Sequence, residues 1–410
     1  MKVVLSYSGG LDTSAILLLL RERGYKVVTV TVDVGLDEDL EKVEERAYML
    51  GSHKHYNIDA REEFAYKYIS MAVKANALYE EYYPLGTALA RPLIAEKVAE
   101  IAKAEDADAV AHGCTGKGND QVRFDSTLMY HLGPGYKIMA PVREMGLTRE
   151  KSIEILSRHG FKPPGSHGKY SIDENMWTRS IEGGPIDDEW MEPPEDAFLW
   201  TKSPEEAPAE PLYLEIGFEE GVPTTLNGEK LKLHDLIERL NTLAGLHGYG
   251  RIDHIENRVV GLKSREVYEA PAALTLINAH KDLEKLILTP RELRFKRLLD
   301  QEWSDLVYNG LWIEPLRKHI EQAINSINEY ITGTVRVKIY KGSLQVVGRR
   351  SPYSGYSKTM IDYNKGWYPT GEEAQGFVKI YTMHSINTAW TRYKKGVQDN
   401  EATGERLIYT

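Results

Sequence analysis

Apolar residues arrive without alternation in the first part of the chain: KVVLSY at 2–7, VVTVTVD at 27–33 and ADAVAH at 107–112. A strand that is apolar on both sides must be covered on both sides, and this selects a parallel sheet with helices packed on each face. Strands are expected at 2–7, 27–33, 54–58, 107–112 and 137–142, separated by helical patterns at 37–50, 62–78 and 92–103. The chain is therefore expected to open with a doubly wound parallel-sheet α/β domain over 1–165. Ligands of such sheets sit beyond the carboxyl ends of the strands, which directs attention to the turns there.

The first of those turns is SYSGGLDTS, Ser6–Ser14. Gly9 and Gly10 let the backbone turn tightly and bring its N–H groups close to a ligand, and the helix that follows offers a positive end. Ser8, Thr13 and Ser14 add hydroxyls. An ordinary βα turn with Asp12 in the first helical turn would need none of this. There is no G-x-x-x-x-G-K-S/T and no G-x-G-x-x-G at a strand end, so neither a Walker-type loop nor a dinucleotide site is indicated. The second turn, HGCTGKGNDQVRFD at 112–125, again leaves a strand for a helix. Asn119 and Arg123 fall on one helical face, where an arginine fork can hold a carboxylate and Asp120 can accept from an ammonium. Cys114, the single cysteine, reads as a small filler.

Beyond 165 the character changes. Residues 185–220 hold six prolines and twelve acidic side chains against one basic residue, Lys202, and read as a solvated connector around one strand at 213–218. Helices are expected at 233–246, 272–287, 290–308 and 314–330. A hairpin, TVRVKIYKGSLQVVGR, turns at Lys341 and Gly342. A final helix over 385–395 gathers Ile386, Ala389, Trp390 and Tyr393 on one face. The net charge of −10 speaks against a nucleic-acid partner. A lone cysteine rules out an internal disulfide, and no stretch reaches the length of a membrane span. A cytoplasmic protein without membrane contacts is expected.

SGGLDTS resembles the pyrophosphate-binding loop of the N-type ATP pyrophosphatases. Together with YPLGTALARP, HGCTGKGNDQVRF, YSIDEN, GRIDHIENRVVGLKSREVYEAPA and SPYS, it resembles the argininosuccinate synthases. The resemblance implies a ligase that joins citrulline and aspartate through a citrullyl-adenylate, releasing AMP and pyrophosphate, with ATP and Mg²⁺. It implies an ATP-binding domain over 1–165, an α+β synthetase and multimerisation domain over 166–360, a C-terminal helical arm over 361–410, and a homotetramer. ATP would be held by Ser6, Tyr7, Ser8, Gly9, Gly10, Leu11, Asp12, Thr13 and Ser14, with the backbone near Val32 and with Gly113. Aspartate would meet Thr115, Asn119 and Asp120. Citrulline would meet Asn119, Arg123, Tyr83, Ala88, Ser171, Ser180, Glu256 and Tyr268. Asp12, Asn119, Asp120 and Arg123 are the implied catalytic set; the metal ligands are left open.

Each distal residue also has an ordinary reading: Ser171 as the cap of a helix begun by IDEN, Glu256 as a partner of Arg258 or Lys263, the tyrosines as core. Two positions depart from the family pattern. Ala88 stands where a serine is common, and Leu36 follows Gly35 where glutamine is common. Other loop relatives fit less well. A glutamine-dependent synthetase needs a glutaminase, and a tRNA-thiolating enzyme normally needs paired cysteines and a basic surface. A nucleotide-binding sensor would leave the GKGND turn unused.

Overall fold

The computed structural model describes residues 1–35, 39–162, 169–362 and 369–397. The chain forms two compact units, Met1–Gly355 and Tyr356–Thr410. The first unit opens with β1 (Lys2–Ser6), β2 (Lys26–Asp33), β3 (Lys54–Asp59), β4 (Ala109–Ala111) and β5 (Lys137–Met139), all parallel, in the order β3-β2-β1-β4-β5. Alternate strand residues feed two cores. Val4, Val28, Val30 and Val110 face one, while Val3, Leu5, Val27 and Ala111 face the other. Helix α1 (Leu11–Glu22) covers the second face through Ile16, Leu17 and Leu20. Helix α3 (Gly86–Ala104) covers the first through Leu89 and Leu93, with α2 (Leu40–Met49) between them in the chain. The strand order turns back between β1 and β4, which is where such sheets bind ligands.

Two helices differ from expectation. The helix expected at 92–103 starts at Gly86, because Leu85 takes a left-handed conformation (φ 65°) that turns the chain into α3 six residues earlier. Pro92 is tolerated inside it. The helix expected at 62–78 is irregular: Arg61–Glu63 is α, Phe64–Ile69 winds as a π-helix, and Ser70–Lys74 returns to α before Asn76 (φ 43°) ends it. Helices α4 (Asp120–Leu132) and α5 (Arg149–Arg158), with a short helical turn at Pro141–Met145 between them, complete this half.

Two antiparallel sheets follow. One is β6 (Ser171–Glu174), β7 (Arg179–Glu182), β11 (Arg251–Asn257) and β12 (Lys263–Glu269) in the order β11-β12-β7-β6. The other joins β8 (Leu212–Glu219), β9 (Val222–Leu226), β10 (Glu229–Lys230), β13 (Gly333–Tyr340) and β14 (Ser343–Arg350) as β10-β9-β8-β13-β14. Ser171 therefore opens a strand and not the helix its ordinary reading required. Asp173 and Glu174 pair with Ser180 and Arg179 across β7.

The acidic connector is more than solvated chain. The buried carboxylate of Glu269 accepts the backbone N–H groups of Leu199, Trp200 and Thr201 and an N–H of Arg179 (2.7 Å), tying the segment to β12. Helices α6 (Leu233–Leu246), α7 (Pro271–Ile287), α8 (Pro290–Tyr308) and α9 (Pro315–Asn328) lie at the expected places. Thr289 and Glu292 form a capping box at the start of α8. The β13–β14 hairpin turns on Lys341 (φ 48°) and Gly342 (φ 79°), the positive pair a two-residue turn needs. In the second unit α10 (Gly371–Val397) extends well beyond the expected 385–395.

Candidate active site

The first turn is built to present its amides. Gly9 has φ +73°, and a Cβ there would stand 3.0 Å from Val43. Gly10 is the N-cap of α1, and no side chain among the described residues caps that helix. The N–H groups of its first turn are thus left without a side-chain cap, as an anion site would require. Beneath them the Tyr7 carbonyl accepts from Thr31 (2.6 Å), and the Tyr7 hydroxyl lies 3.2 Å from Ser14 Oγ. Ser8 Oγ and Thr13 Oγ1 are 3.2 Å apart at the mouth. Ser6 closes β1, and Leu11 is half-buried. The Asp12 carboxylate accepts from Ser152 of α5 (2.8 Å). The Val32 side chain is buried in the sheet core, so only its backbone can meet a ligand. Leu36 lies outside the described residues.

The second turn lies directly on the first. A Cβ on Gly113 would be 3.2 Å from Thr13 Cγ2. His112 bonds Asp125 (2.7 Å), which is also held by Arg143 (2.7 Å). Burial pushes the Cys114 thiol well above its ordinary range, the opposite of a reactive thiolate. Thr115 is exposed at the tip of the turn.

From this turn a polar chain leads into the antiparallel sheet. Asn119 donates to the Tyr308 hydroxyl (2.9 Å) and accepts from the Val259 N–H (3.0 Å). Arg123, 3% exposed, donates Nε (3.2 Å) and Nη2 (2.9 Å) to the Tyr308 carbonyl and Nη1 (2.9 Å) to Asp120. Part of the fork is thus occupied by the end of α8. N–H groups remain on Nη1 and Nη2 for a carboxylate. Asp120 is shared with Arg91 (2.7 Å), which also grips Asp173, and Asp173 accepts from Thr87 (3.0 Å). Burial acts to raise the Asp120 pKa, but the two guanidinium groups outweigh it and the carboxyl titrates below its usual range.

On β11 the buried residues alternate as Ile252, His254 and Glu256, which turns Glu256 inward. Its oxygens lie 2.6 Å from the Tyr268 hydroxyl and 2.6 Å from the Tyr308 hydroxyl. Tyr83 stacks on Tyr268 at 4.4 Å and accepts the Thr87 N–H (2.9 Å). Ser180 pairs with Tyr268 across the sheet and donates to the Asp173 carbonyl (3.1 Å). Ser171 is exposed at the start of β6, and the Ala88 methyl is fully buried in the core. A cleft of about 980 Å³ lined by Gly35, Met176, Thr201 and Asn241 shares no wall with either turn.

Residues 2–162 match the family model described as the arginosuccinate synthase N-terminal HUP domain, and residues 170–388 match the arginosuccinate synthase C-terminal domain. The chain belongs to the argininosuccinate synthase family. The argininosuccinate synthase of Hyperthermus butylicus is 72% identical over 392 residues, covering 96% of this chain and 99% of that protein. Those of Pyrobaculum aerophilum and Sulfurisphaera tokodaii are 59% and 53% identical over 96% of this chain, covering 99% and 100% of their own lengths. The chain is accordingly an AMP-forming ligase that uses ATP to join citrulline and aspartate, with arginine biosynthesis as its setting.

Within this synthase, besides Thr87, four residues at the polar chain had no role in the sequence reading: Arg91, Asp173, Tyr308 and Glu266, whose carboxyl group lies 2.8 Å from the Tyr268 hydroxyl. Three left a signal. Arg91 stands four residues after Thr87 on the same helical face, and Glu266 stands two residues before Tyr268 on the same strand face. Asp173 likewise stands two residues after Ser171 on one strand face, while Tyr308 left no signal because it reaches the site from an element distant in sequence. No helix among the described residues is long and apolar enough to cross a membrane.

Proposed function

We propose that the two turns and the polar chain divide the synthase reaction between them. The amides and hydroxyls of Ser6–Ser14 would hold the ATP phosphates, with Gly113 and the backbone at Val32 lining the nucleotide. The ureido oxygen of citrulline attacks the α-phosphorus, a P–O bond forms, and pyrophosphate leaves along the first turn. The aspartate amine then attacks the adenylated ureido carbon, gives up a proton, and AMP departs. Thr115, Asn119 and Asp120 would orient aspartate. Arg123 would take the citrulline carboxylate, and Tyr83, Ser180, Glu256 and Tyr268 the rest of that zwitterion, with Ser171 at the rim. Ala88 leaves this face without a hydroxyl.

The observation that carries this reading is the contact of Gly113 with Thr13, together with the unbroken chain from Asn119 through Tyr308 to Glu256. It brings the two turns to one end of one sheet, which supports reading them as a phosphate loop and an amino-acid site. Positioning and charge neutralisation supply most of the rate in such chemistry.

No group of three or more acidic, His or Cys side chains gathers as a metal site among the described residues. Hydroxyls, amides and the single Asp12 carboxylate fit a Mg²⁺ that arrives on the phosphates and keeps most of its water. It would supply charge neutralisation on the leaving pyrophosphate. Domains over 1–165 and 166–360, an oligomerisation arm over 361–410, a homotetramer and a cytoplasmic location complete the proposal.

The test is substrate dependence. Pyrophosphate release should require citrulline, and AMP with argininosuccinate should require aspartate as well. Release indifferent to citrulline contradicts it.

A further inference from the structure

The Tyr268 hydroxyl carries one proton, yet its oxygen lies 2.6 Å from Glu256 Oε2 and 2.8 Å from Glu266 Oε2. Two such contacts need two protons, so one carboxyl must supply the second. The surrounding bonds say which. The other Glu256 oxygen accepts the Tyr308 hydroxyl (2.6 Å), whose own oxygen accepts from Asn119. With Tyr268 turned toward it, Glu256 receives two O–H donors and acts only as an acceptor. The other Glu266 oxygen accepts from Arg258 Nη2 (2.7 Å), a guanidinium shared with Glu182. That leaves Glu266 Oε2 as the atom that donates to Tyr268. Burial, Glu256 and Glu182 push the Glu266 carboxyl up to about 8 against the pull of Arg258.

We propose that Glu266 is a positioning residue of the ligation, held as a neutral carboxylic acid that donates to the Tyr268 oxygen and leaves Glu256 as the single negative charge facing the substrate ammonium. This rests on the reading that Glu256 and Tyr268 bind citrulline. The charged and titratable groups facing the pair are Tyr268 and Arg258 beside it, Glu182 on β7, Tyr308 on α8, and Tyr83, whose ring stacks on Tyr268. Loss of the Glu266 proton leaves two carboxylates opposed across one hydroxyl. Tyr268 then no longer has a defined orientation, and the citrulline site is lost with it.

Glu266→Gln fixes the neutral form: its amide oxygen can accept from Arg258 and its NH₂ can donate to Tyr268. Glu266→Ala removes both. In wild type the citrulline KM should rise about tenfold per pH unit above the pair's titration, as release of one proton requires. The Gln variant should lack this limb, and its citrulline KM at neutral pH should lie at least about tenfold below that of the Ala variant, a gap the ATP KM does not share. A difference infrared spectrum of substrate-free wild type against the Gln variant should show a protonated carboxyl band, and titration of wild type should erase it above pH about 8. The infrared arm uses no substrate and needs no folded variant for the wild-type titration. An ionised carboxyl there at neutral pH, or a Gln variant as impaired as the Ala variant, overturns the proposal. Wild type that turns over ATP without regard to citrulline overturns the functional reading instead.

Discussion

Arg123 and Asp120 depend on each other. Arg123 bridges the Tyr308 carbonyl and Asp120, and Asp120 in turn lies between Arg123 and Arg91. A lysine at 123 keeps the charge but cannot reach the carbonyl and the carboxylate with a planar fork. Arg123→Lys is expected to raise the citrulline KM strongly, in keeping with about 2–5 kcal/mol for a buried charged contact. Steady-state kinetics should show the ATP KM nearly unmoved. Asp120→Asn removes the carboxylate proposed to accept from the aspartate ammonium. Argininosuccinate formation should fall on the order of 100-fold or more, while adenylation, followed as ¹⁸O transfer from the ureido group to AMP, falls less. The same pair predicts a pH dependence of stability. Because the folded pKa of Asp120 is depressed, its contribution is full above the unfolded value and is lost as pH falls through the folded one. Denaturant melts of wild type and Asp120→Asn should therefore differ most at neutral pH and converge as pH drops below about 4.

Elements place these residues by close packing that sequence patterns show only in part. Gly86 begins α3, and a Cβ there would overlap Thr178 Oγ1 at 1.7 Å. The helix that carries Thr87 and Arg91 is thus pressed against the turn between β6 and β7. Gly86→Ala should destabilise the fold by about 1–3 kcal/mol or more, read as a lowered melting temperature. What was legible follows physical rules. Helix α6 and the β13–β14 hairpin were visible because a 3.6-residue apolar period and a Lys–Gly turn are local signals. Strands β1, β2 and β4 were visible because burial on both faces leaves apolar runs, whereas β3 (KHYNID) and β5 (KIM) are only partly buried and carry a weaker signal. The π-helical Phe64–Ile69, the left-handed Leu85 and the β-strand in IDEN were not, because tertiary packing decides them. Asn119 and Arg123 could be read at helical spacing. The tie of both to Tyr308, at a sequence separation of 185 between Arg123 and its carbonyl partner, could not.

At the scale of the whole chain, a buried charged cluster joins distant segments. Lys296, 1% exposed, donates to Glu284 (2.7 Å), Asp300 (2.7 Å) and the Lys74 carbonyl (2.7 Å), so α7, α8 and the segment after the π-helix meet at one ammonium. Lys296→Met leaves two buried carboxylates facing each other and should cost about 3–5 kcal/mol, read by denaturant unfolding. In α10, Phe377, Ile380, Tyr381 and Tyr393 are exposed. Apolar side chains of this kind on one helix are expected to dock on another copy, so removing residues 374–410 should lower the mass seen by light scattering. An unchanged mass would deny the arm that role. Both turns are proposed to serve one synthase reaction. The most direct measurement is product analysis of the purified protein given ATP, Mg²⁺, citrulline and aspartate. AMP, pyrophosphate and argininosuccinate should form in equal amounts, with no AMP when citrulline is left out; ADP as the product, or turnover indifferent to citrulline, would contradict the proposal.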